Sequence, residues 1–102
     1  METKQERGLT QALMTAYSRA KAECKYNATR FLQMLSEHGG LETARILLHA
    51  PGVSEGYSKL FEKGRLDLTV EYVVLQPEWQ DLFTADELAT ARKRLKDYGL
   101  EV

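Results

Sequence analysis

The chain has 102 residues, of which 43% are hydrophobic and 28% are charged, and its formal net charge at pH 7 is -1. These values are close to the averages for a soluble globular domain and indicate neither disorder nor a fibrous repeat. No apolar run approaches the roughly 20 residues of a membrane-spanning helix, and the first residues do not resemble a signal peptide. We therefore expect one cytoplasmic domain over residues 1–102, in which the single cysteine, Cys24, is reduced.

The first part of the chain carries regular helix signals. Thr3 and Glu6 have the spacing of a capping box, and an apolar stripe at steps of three and four follows them, which predicts a long first helix. The stripe consists of Leu9, Leu13, Ala16, Tyr17, Ala20 and Cys24. We expect residues 1–8 to fray, because Gly8 weakens the start of this helix.

Two further helices are predicted on either side of a glycine pair. Asn27 is the expected N-cap of the second helix, and Gly39 and Gly40 are expected to end it in a left-handed conformation. The predicted buried face of that helix is Phe31, Met34, Leu35 and His38. The third helix, 41–49, is expected to end before Pro51, because proline restricts the residue that precedes it.

Two more helices have clear start and stop signals. Ser54 is the predicted N-cap of a short fourth helix that ends at Gly64. The predicted inner face of this helix is Tyr57, Leu60 and Phe61. Near the C-terminus, Thr84 and Glu87 have capping-box spacing, and the helix that they begin is expected to stop at Gly99.

The segment 65–79, RLDLTVEYVVLQPEW, fits two interpretations. It alternates like a strand, yet its apolar residues also recur at helical spacing. A strand would need a neighbour to accept its backbone hydrogen bonds, and no other segment alternates. We therefore predict a helix that begins near Asp67 or Thr69 and ends before Pro77, followed by a short helical turn over 79–83.

Together these elements predict an all-α protein, a compact irregular bundle of about six short helices in a single domain. Patterns for catalysis and metal binding are weak. His38, His49 and Cys24 lack the spacing of a metal site, and the pair Asp86 and Glu87 lies in an acidic run with nothing apolar to raise a pKa. We therefore expect no enzyme activity, no metal and no cofactor.

The charged residues are segregated along the sequence. Residues 15–30 have a net charge of +3, residues 71–87 have a net charge of -5, and a basic run follows at 92–96. Such blocks usually form solvated helix faces, but they can also dock a partner of opposite charge, including a second copy of the chain. The candidate binding surface is Arg19, Lys21, Lys25, Tyr26, Asn27 and Arg30.

The same surface suits a second class of partner. Its cations can meet phosphates and Tyr26 can stack on a base, as in nucleic-acid binding. A net charge of -1 argues against a dedicated nucleic-acid binder. The expected partner is therefore another protein, with a homodimer as one form of this, and nucleic acid is the alternative.

Three stretches, YNATRFLQML, HGGLETA and GRLDLTVEYVVL, resemble a small bacterial domain that occurs alone or fused to larger proteins, including nucleases and other DNA-metabolism or defence-related proteins. The resemblance extends from Tyr17 almost to the end of the chain. It implies an accessory, partner-binding role in the bacterial cytoplasm. It carries no catalytic residue over to this sequence.

Overall fold

The computed structural model describes residues 2–101, which form five α-helices and two short 3₁₀ turns. The α-helices are α1 (Lys4–Cys24), α2 (Thr29–His49), α3 (Glu55–Glu62), α4 (Val70–Val74) and α5 (Ala85–Asp97). The 3₁₀ turns span Leu66–Leu68 and Gln80–Leu82. Residues 2–101 contain no strand, so the predicted all-α bundle is confirmed. None of these helices combines the length and the apolar character that a bilayer crossing demands.

The main core joins α1, α2, α4 and α5. Its buried side chains are Leu9, Leu13, Ala16, Leu35, Ala44, Leu48, Val70, Val73, Val74, Phe83 and Ala91. The predicted capping box of Thr3 and Glu6 is present, and α1 continues through Gly8, where a Cβ atom would lie 2.8 Å from the ring of Trp79. Trp79 therefore packs against the core and α1. The fraying of residues 1–8 stays a prediction.

The glycine pair divides α2 into two helical halves that follow each other directly. Gly39 has φ 78° and ψ 172°, a combination open essentially to glycine alone, and helical geometry resumes at Gly40. The predicted break is confirmed, but it is a kink rather than a loop. His38, just before the kink, has 42% of its side chain exposed, so its prediction as part of the buried face is wrong. An imidazole without a buried hydrogen-bond partner is better solvated at the surface.

The helices α1 and α2 are in close contact at Gly40. A Cβ atom on Gly40 would lie 2.7 Å from the Cα atom of Thr10. The Gly40 N–H donates a hydrogen bond to Thr10 Oγ1 at 2.9 Å. The missing side chain therefore allows direct contact between the backbones of the two longest helices.

The second helix begins later than predicted. It starts at Thr29, and its N-cap residue, Ala28, makes no side-chain capping bond. Asn27 Oδ1 instead accepts a hydrogen bond from the Tyr17 hydroxyl at 2.8 Å. The prediction of Asn27 as the N-cap is therefore wrong, because its side chain fastens the loop to α1.

The ambiguous segment is helical, as predicted, but it is divided into two pieces. After the 3₁₀ turn Leu66–Leu68, Thr69 caps α4 by accepting a hydrogen bond from the Tyr72 N–H at 3.2 Å. Three valines of α4, Val70, Val73 and Val74, are buried. Burial of these branched side chains outweighs their modest helix propensity.

The other predicted caps are also confirmed. Ser54 accepts a hydrogen bond from the Tyr57 N–H, the capping box of Thr84 and Glu87 forms, and Gly64 has φ 72°. Phe61, however, is 44% exposed, so its prediction as an inner residue of α3 is wrong. Its ring instead contacts Tyr98 edge-on, with 4.9 Å between ring centroids.

Thr43 on α2 has a buried hydroxyl that lacks a hydrogen-bond partner among residues 2–101. An unpaired buried hydroxyl costs about 1–3 kcal/mol, so the isosteric Thr43→Val variant is expected to be about 1 kcal/mol more stable than the wild type. Urea unfolding followed by circular dichroism measures this difference. Thr15→Val, at an exposed position of α1, is the matched control. A loss of stability in Thr43→Val would show that the hydroxyl is hydrogen-bonded.

Candidate functional site

A cavity of about 620 Å³ is lined by residues from α1, the loop that precedes α2, both halves of α2, the loop that follows it, α3 and the segment 68–71. Most of its lining is apolar: Ala16, Ala20, Phe31, Met34, Ile46, Leu47, Val53, Leu60, Leu68 and Val70. Its polar lining residues include Tyr26, Asn27, Arg30 and Glu55. Cavities of roughly 300–1,000 Å³ with an apolar lining and a few polar groups are typical of ligand sites.

The cavity contains half of the predicted binding surface. Tyr26, Asn27 and Arg30 line it. Lys21 and Lys25 are exposed but do not line it, and Lys25 ends α1 in a left-handed conformation with φ 56°. Tyr26 and Asn27 of the loop and Arg30 of α2 thus reach the cavity, whereas α1 itself contributes Ala16, Tyr17 and Ala20.

Arg19 belongs to a network of ion pairs outside the cavity. Its Nε lies 2.8 Å from Glu23, Glu23 also lies 2.6 Å from Nη1 of Arg65, and Arg65 makes two hydrogen bonds to Asp67. The hydrogen bonds from Arg19 and Arg65 lower the pKa of Glu23 to about 2. Arg19 is therefore already paired, which weakens the basic stretch as a phosphate-binding surface.

Three cations remain outside such pairs: Arg30, which lines the cavity, and Lys21 and Lys25, which are sequence neighbours of the lining residues Ala20 and Tyr26. Within residues 2–101, Lys21, Lys25 and Arg30 have no carboxylate at ion-pair distance. The first turn of α2 also lacks an acidic residue, so its positive end is not offset locally. Glu55, exposed at the start of α3, has the opposite charge. This side of the cavity is therefore more positive than negative.

The cavity lining also includes a buried carboxylate that sequence patterns did not reveal. Glu71 is 3% exposed, and its Oε2 accepts a hydrogen bond from Arg94 Nη1 at 3.0 Å. Burial raises the pKa of Glu71, and the hydrogen bonds and the charge of Arg94 offset only part of this effect. The expectation that the acidic run 71–87 is a solvated face is wrong at Glu71, because α4 turns this residue toward Arg94.

Arg94 joins three parts of the cavity wall without lining the cavity itself. Its Nη1 also donates to the Leu47 carbonyl at 3.0 Å, and its Nη2 donates to the Ala50 carbonyl at 2.7 Å. Its own carbonyl accepts a hydrogen bond from the Tyr57 hydroxyl at 2.8 Å. Leu47, Ala50, Tyr57 and Glu71 all line the cavity. Helix α5 therefore holds the end of α2, α3 and α4 together around it.

Glu87 is a second buried carboxylate of the acidic run, with 5% of its surface exposed. Its Oε1 accepts from the Thr84 N–H, and its Oε2 lies 2.7 Å from His49 Nε2 and 3.7 Å from Arg45 Nε. Burial acts to raise the pKa of Glu87, but the bonds from Thr84 and His49 and the charge of Arg45 outweigh it and lower the pKa. The expectation of a solvated acidic face is therefore also wrong at Glu87, and this carboxylate connects α2 to α5.

No group of three or more His, Cys, Asp and Glu side chains in residues 2–101 is arranged to hold a metal ion. Chemically, the cavity offers an apolar volume beside a positively charged rim, an arrangement suited to binding. No family model matches the chain, and searches of curated proteins and of solved structures find no significant match. The proposed function therefore depends on the geometry described above.

Proposed function

We propose that this chain is a non-enzymatic accessory module that binds a short segment of a partner protein in the cavity. The main support is the cavity itself, with its volume of about 620 Å³ and its apolar lining. Ile46, a lining residue, is 39% exposed. Apolar surface in contact with water is unfavourable, and a partner that covers it gains the free energy of burial.

The cavity suits a peptide that projects apolar side chains from one face. In such complexes apolar anchors enter the groove, and polar groups around the rim fix orientation. Tyr26, Asn27 and Arg30 can act as those polar groups, since they line the cavity. We place the module in the bacterial cytoplasm because of its lone Cys24 and the sequence resemblance.

Nucleic acid is the second candidate partner, and the contacts of Arg19 make it the weaker one. A nucleic-acid surface needs several free cations that follow the phosphate backbone. Arg19 shares Glu23 with Arg65 and would have to exchange this exposed ion pair for a contact with a phosphate, which reduces the net gain of binding. Tyr26 and Arg30 remain beside the cavity, and they suit a peptide as well as a base.

A peptide selection tests the proposed function. Phage-displayed random peptides of about 12 residues are expected to yield sequences with apolar anchors and Kd values of roughly 1–100 μM. Ile46→Asp is expected to weaken the best of these peptides at least about tenfold, because it removes apolar contact and places a charge in the cavity. Fluorescence anisotropy with the labelled peptide measures the affinities.

Phe61→Asp is the matched control for this test. Phe61 is also exposed and apolar, but it does not line the cavity. Its variant is expected to bind the peptide within about twofold of the wild type. Failure to enrich any peptide, or peptides that bind Ile46→Asp as tightly as the wild type, would overturn the proposed function.

A further inference from the structure

We infer that the segment bound in the cavity is an apolar peptide with an acidic flank that lies against Arg30. This inference rests on the proposed function and specifies the partner's chemistry. It follows from the charges around the cavity, which the apolar lining alone does not determine. Arg30 is exposed and belongs to the lining, so a carboxylate at the rim can reach its guanidinium while apolar side chains occupy the interior.

Arg30 of the lining and the two lysines next to lining residues are not compensated by a carboxylate within residues 2–101. Lys21, Lys25 and Arg30 make no ion pair with residues 2–101. The acidic residue of this stretch, Glu23, is held by Arg19 at 2.8 Å and by Arg65 at 2.6 Å. Its carboxylate is therefore engaged, and the three cations remain available to a partner.

The carboxylates of the cavity lining do not reverse this balance. Glu71 is buried and bound to Arg94, so it does not present a free negative charge to a ligand. Within the lining, the exposed carboxylate of Glu55 balances the charge of Arg30, and the excess positive charge comes from Lys21 and Lys25, which are sequence neighbours of the lining residues Ala20 and Tyr26. Charge complementarity therefore favours an acidic segment over a basic one.

An acidic peptide fits the site better than a nucleic acid. The lining away from the rim is formed by Phe31, Met34, Leu47 and other apolar side chains. The polar edges of a nucleobase would lose their hydrogen bonds to water there, whereas aliphatic and aromatic peptide side chains would not. A carboxylate can also form paired hydrogen bonds with the planar guanidinium of Arg30.

Parallel peptide selections on the wild type and on Arg30→Glu test the inference. Peptides enriched on the wild type are expected to carry Asp or Glu beside their apolar anchors, and Arg30→Glu is expected to weaken them about fivefold to tenfold. Synthetic versions with lysine in place of the acidic residues are expected to prefer Arg30→Glu. Arg92→Glu makes the same change in net charge at an exposed site on α5 outside the cavity lining, and it should change affinity less than about twofold.

The outcomes separate this inference from the proposed function. One outcome is that the peptides bind Ile46→Asp more weakly but carry neutral or basic flanks, or that they bind Arg30→Glu as tightly as the wild type. This would overturn the inference of an acidic flank and leave the proposed peptide-binding function in place. No enriched peptide at all would overturn both. Displacement of the peptide by a single-stranded oligothymidine, with a steep salt dependence, would assign the rim to phosphates instead. Concentration-dependent dimerisation that Ile46→Asp abolishes would assign the cavity to a second copy.

Discussion

Arg94→Met is expected to lower the free energy of unfolding by about 3–5 kcal/mol, because it leaves the buried Glu71 carboxylate without its cation. Arg94 and Glu71 have only 11% and 4% of their side chains exposed, so solvent cannot replace the lost pair. The variant also loses the hydrogen bonds to the carbonyls of Leu47 and Ala50. Methionine retains the aliphatic stem, so the loss reports mainly the charge and the hydrogen bonds.

Lower pH and a second substitution should each reduce the loss of stability in Arg94→Met. Without Arg94 the pKa of Glu71 is expected to rise further above its ordinary value, because burial is no longer opposed by a cation. A pKa raised in the folded state gives stability that is present at low pH and lost as pH rises through that pKa. The deficit of Arg94→Met should therefore shrink between about pH 7 and about pH 5. The double variant Arg94→Met with Glu71→Leu should recover most of the stability, because no charge stays buried.

Urea unfolding followed by circular dichroism at both pH values gives these free energies. Arg92→Met is the control, since Arg92 is exposed on the same helix and makes no ion pair with residues 2–101. Its effect should stay within about 0.5 kcal/mol. If Arg94→Met and Arg92→Met were equally stable, Arg94 would not hold the cavity wall together.

Gly40→Ala is expected to destabilise the fold by about 2 kcal/mol or more, although alanine is the better helix former. The new Cβ atom would lie 2.7 Å from the Cα and 2.8 Å from the N of Thr10, and backbone atoms cannot move aside as a flexible side chain can. The two helices must therefore separate, and the hydrogen bond from Gly40 to Thr10 weakens. Overpacking of about 1–3 kcal/mol and the lost hydrogen bond of about 1 kcal/mol together exceed the propensity gain of up to about 1 kcal/mol.

Gly52→Ala separates this steric effect from the general effect of replacing glycine. A Cβ atom on Gly52 would meet no atom within 4 Å, and its backbone does not have a positive φ. This variant should be as stable as the wild type or gain about 0.5 kcal/mol from the stiffer unfolded chain. Thermal unfolding compares the stabilities of the two variants with that of the wild type. A Gly40→Ala protein as stable as Gly52→Ala would contradict the close contact between α1 and α2.

Local signals predicted the helix boundaries well, because a cap is made within a few residues. Thr3, Ser54 and Thr84 each accept the expected bond from an N–H three residues ahead. Asn27 was the exception, since its oxygen is used by Tyr17, ten residues earlier. Such competition between a local cap and a tertiary partner cannot be read from spacing.

The site was less predictable, because its parts come from distant segments. Tyr26, Asn27 and Arg30 were identified from composition, but the cavity that they line forms only when α2 and α3 pack around them. The sequence predicts a solvated Glu71, because a run of acidic residues usually lies at the surface. Its burial depends on Arg94, twenty-three residues later in the chain. A sequence pattern gives each charge but not its partner.

The position of Arg94 also determines when the cavity can be completed during synthesis. The carbonyls of Leu47 and Ala50 and the carboxylate of Glu71 leave the ribosome before Arg94 does. Until α5 emerges, the apolar walls lack the residue that fastens them, and the nascent chain exposes them. A ribosome that stalls before α5 is synthesised would therefore hold an incomplete chain with exposed apolar surface. Such surface promotes aggregation and is the kind that chaperones bind.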